Sequence, residues 1–215
     1  ISFLYSCLIM RCGNSQIIIS DNNIVLSEYL DNEQPTVLLF DENTYKCCSE
    51  LFYESNPELK ESFKYVIKAG EEYKTIETCL KIWNEFINEN ILKNALFICI
   101  GGGVVSDLGG FVASIYKRGI DYIFIPTTLL SQVDASIGGK NGIDFKSSKN
   151  QLGIISFPNI IYVNPLFLNT LPKKEIISGY AEVVKYALIW DYDFWNMILS
   201  IEDIDAVNWL PIINR

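Results

Sequence analysis

The sequence contains no histidine, and this absence limits the chemistry that the chain can perform by itself. Catalytic zinc is usually held by three protein side chains, and histidine is prominent among them. Histidine is also the side chain that most often transfers protons near neutral pH. A mechanism that needs an imidazole as ligand or base must therefore take it from outside these 215 residues.

The six cysteines show no spacing that is typical of a metal site. None forms a CxxC pair, and the adjacent Cys47 and Cys48 suit neither zinc nor an ordinary disulfide. Cys99 lies in an apolar run, and Cys79 falls on the apolar face of a predicted helix. We therefore expect reduced thiols and a cytoplasmic location.

Positive charge and long apolar runs are also scarce. The formal net charge is −9, which argues against a nucleic-acid partner because nonspecific binding to nucleic acid needs a basic surface. A phosphate ligand is still compatible with this charge, since a few lysines can dominate locally. The first ten residues are apolar but too short to span a bilayer, and no basic residue precedes them, so we expect no membrane partner.

Short apolar runs alternate with helical patterns along most of the chain. The predicted strands are 16–20, 36–40, 64–67, 95–100, 122–125 and 160–163, and the predicted helices are 75–90 and 107–116. Strands that alternate with helices predict an α/β fold with a mostly parallel sheet. In helix 75–90, Thr75 is the expected N-cap. The expected apolar face consists of Ile76, Cys79, Leu80, Trp83, Phe86 and Ile87.

The pattern changes after Pro172, where helical spacing continues without a convincing strand. We therefore predict one α/β domain over residues 1–172 and the beginning of an all-α domain over 173–215. The second segment is too short to build a core of its own.

The strand predicted at 95–100 ends in Gly101, Gly102 and Gly103 before a helix begins. Glycine allows close approach of the backbone to a ligand, and the free N–H groups of a helix start favour an anion. This arrangement is typical of sites that hold the pyrophosphate of a dinucleotide. Ser106 stands where the third glycine of the full fingerprint would be, and glycine turns also occur for packing alone.

A polar segment over 126–140 follows the strand predicted at 122–125 and contains hydroxyls, Asp134, two glycines and Lys140. Lys149 and Asn150 follow shortly after it. Ligands of α/β sheets bind at the carboxyl ends of strands, so these groups predict a site for a phosphorylated, hydroxyl-rich substrate. The alternative is a polar surface loop with solvated lysines. The functional hypothesis requires this segment and the glycine corner to form adjoining walls of one cavity.

A third segment, 175–186, places Glu175, Ser178, Glu182 and Lys185 on one face of a predicted helix. The rest of that helix is apolar or small, which predicts mostly buried surroundings for Glu182 and Lys185. The functional interpretation is a carboxylate metal ligand beside a substrate-binding lysine. The alternative is a surface ion pair worth at most a few tenths of a kcal/mol.

Together these segments resemble the 3-dehydroquinate synthase family of sugar-phosphate cyclases, over about residues 37–191. The resemblance rests on segments 101–108, 118–119, 126–140, 149–150 and 179–186. It implies a Rossmann-like NAD-binding domain followed by a helical domain that carries most of a zinc site. It also implies a lyase of the shikimate pathway, on the route to chorismate and the aromatic amino acids. This enzyme converts 3-deoxy-D-arabino-heptulosonate 7-phosphate into 3-dehydroquinate and phosphate, with transient reduction of NAD.

The resemblance also implies roles for individual residues of this chain. The expected NAD-binding residues are Asp41, Asn43, Glu71, Lys74, Gly102, Gly103, Val104, Asp107, Thr127, Thr128, Leu130, Lys140, Lys149, Phe167, Thr170 and Leu171. The expected substrate-binding residues are Arg118, Asp134, Lys140, Lys149, Asn150 and Lys185, of which Asp134, Lys140, Asn150 and Lys185 are also expected to be catalytic. Arg118 would reach the phosphate in a neighbouring subunit, which implies a homodimer.

The chain departs from the family pattern most clearly at the metal site. Glu182 matches the family's carboxylate ligand for Zn²⁺ (or Co²⁺), but the two histidines that complete the site are absent. We therefore expect an incomplete metal site and an N-terminal portion that is inactive alone. Asn141 and Asp144 replace the usual threonine and asparagine after the glycine–lysine turn. The alternatives are another NAD- and zinc-dependent cyclase, a metal-dependent polyol dehydrogenase, or a non-catalytic NAD-binding remnant.

Overall fold

The computed structural model describes residues 8–22, 25–27 and 34–215. Its strands are β1 (Leu8–Cys12), β2 (Ser15–Ile19), β3 (Thr36–Asp41), β4 (Phe63–Ile67), β5 (Leu96–Gly101), β6 (Asp121–Pro126), β7 (Lys140–Phe145), β8 (Ser148–Ile155) and β9 (Ile160–Val163). Its helices are α1 (Glu42–Ser55), α2 (Ile76–Asn88), α3 (Gly103–Ile115), α4 (Lys173–Trp190), α5 (Tyr192–Leu199) and α6 (Leu210–Ile213). Cys7 and most of the N-terminal segment lie outside the described residues.

Seven strands form one sheet in the order β1-β2-β9-β6-β5-β3-β4. All neighbours are parallel except β1 and β2, so the predicted α/β fold with a mostly parallel sheet is confirmed. The sheet joins distant parts of the chain, since β2 pairs with β9 through Gln16 opposite Ile160. Strands β7 and β8 form a separate antiparallel hairpin.

The sheet is covered on both faces, which explains why its strands are continuous apolar runs in the sequence. On one face Leu39, Phe97 and Cys99 belong to a cluster that also contains residues of α2 and α3. On the other face Leu38 and Ile98 join a cluster with Phe52 of α1. All six residues of β5 are buried, so the glycine corner follows a fully buried inner strand of the sheet.

Helix α2 begins as predicted, because the Thr75 side chain accepts a hydrogen bond from the Thr78 amide. The predicted buried face is partly wrong, since Leu80 and Ile87 are 51 % and 63 % exposed. The face that packs is centred on Cys79, Ile82 and Phe86. Each misplaced residue directly follows a buried one and therefore lies about 100° around the helix from it.

All six predicted strands are present, and their bounds agree with β2, β3, β4, β5, β6 and β9 within one or two residues. Helix α1, strand β1 and the β7–β8 hairpin were not predicted. Only Thr44, Cys48 and Phe52 are buried in α1, and all eight residues of β8 are exposed, so neither carries a strong apolar pattern. Helix α3 begins at Gly103 rather than at residue 107 as predicted, because glycines hide its first turn from sequence patterning.

Residues 173–215 contain only helices and turns among the regular elements, in agreement with the helical pattern. Val183 and Ala187 of α4 and Phe194 of α5 belong to the same apolar cluster as residues of the sheet. A domain boundary at residue 172 therefore remains a prediction. Within the described ranges, none of the helices has the length and hydropathy needed to cross a bilayer.

Candidate functional site at the carboxyl end of the sheet

The glycine corner leaves the start of α3 without a side-chain cap. Gly102 is the N-cap residue, and the first helical hydrogen bond runs from the Ser106 amide to the Gly102 carbonyl at 3.1 Å. The Ser106 hydroxyl donates to the same carbonyl at 3.3 Å, and Ser106 is buried. The preceding amides of the helix start are therefore suited to hold an anion.

The glycine corner and the segment that follows β6 are in direct contact. A Cβ atom on Gly102 would lie 2.9 Å from Cγ2 of Thr128, and one on Gly103 would lie 3.4 Å from Cβ of Ala135. The first distance is shorter than side chains tolerate. The two segments thus form adjoining walls, as the functional hypothesis requires.

The segment after β6 is fixed by its own polar side chains. The Thr128 and Ser131 hydroxyls lie 2.8 Å apart. The side-chain amide of Gln132 donates to the backbone carbonyls of Pro126 and Asn164 at 3.0 and 2.8 Å. Ser131 and Gln132 belong to a π-helical turn over Ser131–Ala135, which also carries Asp134. Turns of π-helix are rare in proteins overall but are common at functional sites. This turn therefore marks Asp134 as a candidate functional residue.

A cavity of about 460 Å³ opens between α3, the π-helical turn and the hairpin. Such a volume is ordinary for a small-molecule site. Four of the predicted site residues line it, namely Asp107, Asp134, Lys140 and Asn150. The rest of the lining is formed by Ala135, Asn141, Gly142, Gly153, Ile154 and Ile155. These four residues therefore share one cavity, and the ligands that they bind remain a prediction.

Lys74 lies behind this cavity and is only 3 % exposed. Its Nζ atom is 3.2 Å from Asp107 Oδ2, 3.2 Å from Glu71 Oε1 and 2.8 Å from Asn150 Oδ1. Asp144 Oδ1 lies 3.9 Å away. Burial opposes the charged form, but Asp107 and Glu71 outweigh it, and the pKa of Lys74 is raised. Lys74 is therefore a charged anchor for three segments of the site.

Asp107 faces the cavity on the first turns of α3. Burial raises its pKa from 3.8 to about 6, while Lys74 opposes that shift. A carboxyl group that titrates so close to neutrality in a cavity is a candidate functional group.

The β7–β8 hairpin is docked on Lys74. The Asp144 amide donates to the Lys74 carbonyl at 2.8 Å, and Asp144 Oδ1 accepts from the Asn150 amide at 2.8 Å. Asn150 has φ +53°, a left-handed conformation that asparagine tolerates better than most residues. Asp144, one of the departures from the family pattern, therefore holds Asn150 at the cavity.

Asn141, the other departure, is buried and forms part of the site's framework. Its amide donates to the carbonyls of Ser156 and Gly139 at 2.8 and 3.2 Å. A Cβ atom on Gly110 would lie 2.0 Å from Asn141 Oδ1, so Gly110 is what admits this side chain beside α3.

Two predicted lysines lie at the mouth of the site. Lys140 lines the cavity and is exposed at the start of β7. Lys149 is exposed, and its Nζ atom lies 3.3 Å from Glu71 Oε1. Lys149 is therefore solvated, as the surface-loop alternative expects. It is also joined through Glu71 to the cluster around Lys74, as the hypothesis of a substrate site expects.

Helix α4 contributes a second group of side chains beside the π-helical turn. The Tyr186 hydroxyl donates to Asp134 Oδ1 at 2.6 Å, and Lys185 Nζ lies 4.5 Å from the centroid of the Tyr186 ring. Lys185 also forms an ion pair with Glu182. Tyr186 was missed as a site residue, although it lies within the segment 179–186 that carries the family resemblance.

The prediction of mostly buried surroundings is wrong for Lys185, whose side chain is 49 % exposed, whereas that of Glu182 is 20 % exposed. Helix α4 packs instead through Ile176, Gly179, Val183 and Ala187. The apolar residues of this helix thus bury a different face, and the two charges lie beside it.

Several expected NAD-binding residues follow other strands of the sheet. Asp41 ends β3, caps α1 by accepting from the Thr44 amide at 2.8 Å, and precedes the exposed Asn43. Thr127, Thr128 and Leu130 follow β6. Phe167, Thr170 and Leu171 follow β9, where Phe167 is buried in the core and Thr170 Oγ1 lies 3.9 Å from Cys48 Sγ. All follow carboxyl ends of strands.

Arg118 lies elsewhere. It is exposed in the turn between α3 and β6, with φ +66°, and this turn precedes the amino end of β6. The structure therefore does not bring Arg118 to the cavity of its own chain.

Within the described part of the chain, no three His, Cys, Asp or Glu side chains are grouped so that they could hold a metal ion. Glu182 has Lys185 as its ion-pair partner. The residues present do not fit a zinc centre, which needs more protein ligands than one carboxylate. The five described cysteines, Cys12, Cys47, Cys48, Cys79 and Cys99, are free thiols.

The family profile described as 3-dehydroquinate synthase N-terminal matches residues 64–178, more than half of the chain. The chain belongs to the 3-dehydroquinate synthase family. A curated 3-dehydroquinate synthase from Alkaliphilus oremlandii is 45 % identical over 178 residues, which are 80 % of this chain and 47 % of the relative. One from a Thermoanaerobacter species is 42 % identical over 164 residues, or 76 % of this chain and 46 % of the relative.

Solved sugar-phosphate cyclases have the same fold as this member of the 3-dehydroquinate synthase family. A 2-epi-5-epi-valiolone synthase from Streptomyces hygroscopicus, with NAD⁺ and Zn²⁺ bound, is 27 % identical at a TM-score of 0.78, covering 88 % of this chain and 53 % of that one. A 2-deoxy-scyllo-inosose synthase reaches a TM-score of 0.82 at 20 % identity, covering 97 % and 62 %. The chain spans about half or less of the length of the curated relatives described above.

Proposed function

We propose that this chain supplies the NAD-binding half, and part of the substrate site, of a 3-dehydroquinate synthase. The reaction is the conversion of 3-deoxy-D-arabino-heptulosonate 7-phosphate into 3-dehydroquinate and phosphate. The single observation that carries the proposal is the cavity in which Asp107, Asp134, Lys140 and Asn150 meet beside an uncapped helix start. Identities of 42 % and 45 % to curated 3-dehydroquinate synthases, against 27 % to the valiolone synthase, favour this cyclase over the other.

The glycine corner fits NAD by its chemistry. The free amides at the start of α3 suit the pyrophosphate, and Gly102 and Gly103 leave the room that a side chain would fill. Asp41 and Asn43, after β3, would bind the adenosine ribose, while Lys74 and Asp107 would lie towards the nicotinamide. When bound, NAD supplies a hydride acceptor for a secondary alcohol of the substrate and later returns the hydride.

The lysines and Asp134 divide the recognition of the substrate between them. Lys140, Lys149 and Lys185 would attract the sugar phosphate and stabilise the phosphate anion as it leaves. Asp134 would accept hydrogen bonds from ring hydroxyls, and Asn150 can both donate and accept. Asp134, Lys140 and Asn150 line one cavity, which suits the positioning of a flexible polyol. Lys149 and Lys185 lie beside Glu71 and Tyr186, which contact residues of that site.

The remaining metal ligands and the second subunit would come from outside these 215 residues. Glu182 is proposed as one metal ligand, and this chain has no histidine that could join it. Arg118 is proposed to reach the phosphate in a neighbouring subunit of a homodimer, since it is exposed far from its own cavity. Because the chain spans about half of its relatives, these assignments concern the longer protein.

Isothermal titration with NAD tests the cofactor site of the chain as it stands. We expect one NAD per chain, and we expect Gly102→Ala to abolish measurable binding because its Cβ fills the cradle against Thr128. Ser106→Gly is the matched control at the same helix start and should preserve affinity, since Ser106 points to the Gly102 carbonyl. Absence of NAD binding at millimolar concentration would contradict the proposal.

A second measurement separates a cyclase from a polyol dehydrogenase. A dehydrogenase accumulates NADH with its substrate, whereas a cyclase returns the hydride within each turnover. The assay uses the longer protein. The dehydrogenase would be favoured if NADH absorbance rises steadily with a polyol and no phosphate is released from the sugar phosphate.

A further inference from the structure

Tyr186 contacts two residues that are expected to bind the substrate. Its hydroxyl donates to Asp134 Oδ1 at 2.6 Å, and its ring centroid lies 4.5 Å from Lys185 Nζ. Asp134 lies on the π-helical turn and Tyr186 on α4, so the hydrogen bond connects segments 52 residues apart. No other side-chain hydrogen bond to Asp134 occurs in the described part of the chain. The orientation of this carboxylate therefore depends on Tyr186.

Close packing of α4 on the segment after β6 fixes the position of the tyrosine. A Cβ atom on Gly179 would lie 2.5 Å from the Leu130 amide nitrogen, which leaves no room for a larger residue. Val183, one turn before Tyr186, is buried. The bond to Asp134 is the largest cause that raises the pKa of Tyr186 to about 12, so its hydroxyl remains a donor at neutral pH.

We propose that Tyr186 is a positioning residue for the polyol phosphate, because it occupies one carboxylate oxygen of Asp134 and leaves Oδ2 to accept a substrate hydroxyl. Its ring also supports the ammonium group of Lys185 by a cation–π contact. This inference rests on the proposed function, since it deepens the role of Asp134 in that site. It assigns α4 a part in recognising hydroxyl groups, in addition to the expected charges of Glu182 and Lys185.

The two contacts of Tyr186 can be separated by substitution. Tyr186→Phe keeps the ring beside Lys185 and removes only the hydrogen bond. Hydrogen bonds to charged groups are typically worth enough that this loss corresponds to about tenfold weaker binding of a ligand that needs Asp134 in place. A ligand without carbon-bound hydroxyl groups should be unaffected. Tyr180→Phe is the matched control, because Tyr180 lies on the same helix and its hydroxyl donates to the Ile198 carbonyl, away from Asp134.

The test uses the 215-residue chain saturated with NAD and titrated calorimetrically with two probes. These are 3-deoxy-D-arabino-heptulosonate 7-phosphate and inorganic phosphate. We expect Tyr186→Phe to weaken the sugar phosphate about tenfold and to leave inorganic phosphate unchanged, while Tyr180→Phe changes neither. Equal weakening of both probes would indicate a merely structural role and would overturn the inference.

Failure of the inference can be told from failure of the proposed function. If the unsubstituted chain binds the sugar phosphate and Tyr186→Phe binds it equally well, only the role of Tyr186 is overturned. If the unsubstituted chain binds NAD but no sugar phosphate, the substrate site itself is overturned, and the role of Tyr186 with it.

A spectroscopic measurement tests the contact directly and does not need a ligand. In a chain labelled with ¹³C at the ζ position of tyrosine, we expect Asp134→Asn to shift the Tyr186 resonance at neutral pH and to leave Tyr180 unchanged. Tyr186→Phe identifies the resonance. An unchanged Tyr186 signal in Asp134→Asn would mean that the hydrogen bond is absent in solution, which overturns the inference.

Discussion

Replacement of Lys74 by methionine should destabilise the chain substantially. The substitution keeps an apolar stem in a site that is 3 % exposed and removes the positive charge shared by Glu71, Asp107 and Asn150. Removing one partner of a fully buried ion pair costs about 3–5 kcal/mol. The carboxylates here keep some contact with water and can rotate or take up a proton, so we expect a loss of about 2–3 kcal/mol in the free energy of unfolding.

Urea denaturation followed by tryptophan fluorescence measures this loss. For a chain of this size it corresponds to a fall of about 5–10 °C in Tm. Lys173→Met is the matched control: it removes the lysine of an exposed ion pair with Asp205 and should cause no measurable change. In a double-mutant cycle, Asp107→Asn should cost less in the Lys74→Met background than alone, with a coupling of about 1–2 kcal/mol.

The reasoning would be refuted if Lys74→Met unfolded within about 0.5 kcal/mol of the unsubstituted chain, which is the range of ordinary surface substitutions. Hydrogen exchange offers a local check. The backbone bond from the Asp144 amide to the Lys74 carbonyl survives the substitution, whereas the contact with Asn150 does not. Loss of protection should therefore be greater near Asn150 than at Asp144.

Three further predictions concern pH, packing and metal. The pKa of Asp107 lies at about 6, and its protonation removes a negative charge near the helix start that is proposed to hold the anionic pyrophosphate. Titration calorimetry should therefore find tighter NAD binding at pH 5 than at pH 7.5. Asp107→Asn should flatten this dependence, and weaker binding at the lower pH would contradict it. Gly179→Ala should lower the free energy of unfolding in urea by about 1–3 kcal/mol, because its Cβ would meet the Leu130 amide nitrogen at 2.5 Å; an unchanged midpoint would show that α4 is not closely packed there. The chain alone should release no phosphate from the sugar phosphate with added Zn²⁺ in a colorimetric assay, because it has no histidine to join Glu182; measurable turnover would show that the metal site is complete without one.

The sheet could be predicted from the sequence because its inner strands are buried on both faces. Such strands are continuous apolar runs, as 160–163 shows, and they need no knowledge of their neighbours. The β7–β8 hairpin carries no such signal, since β8 is exposed along its length. It is held by the packing of Asn141 beside α3 and by contacts with Lys74, which lies 76 residues from Asn150 in the chain.

The candidate site was predicted in its residue types more than in its arrangement. The family resemblance named Glu71, Lys74, Asp107 and Asn150 as separate contacts of ligands. Their convergence on one buried ammonium group depends on how a turn, a helix and a hairpin pack together, and no local pattern encodes that. Tyr186 was missed for the same reason, because its partner Asp134 belongs to a different element.

The pairing of β2 with β9 sets an order of assembly during synthesis. Gln16 meets Ile160 in the finished sheet, so the ribosome must deliver nearly three quarters of the 215 residues before β2 acquires its parallel neighbour. Until then Ile17, Ile18 and Ile19 have only the exposed β1 beside them as a strand partner. Contacts of such long range slow folding and lengthen the exposure of apolar segments. The nascent chain should therefore depend on chaperones most strongly between the emergence of β2 and that of β9.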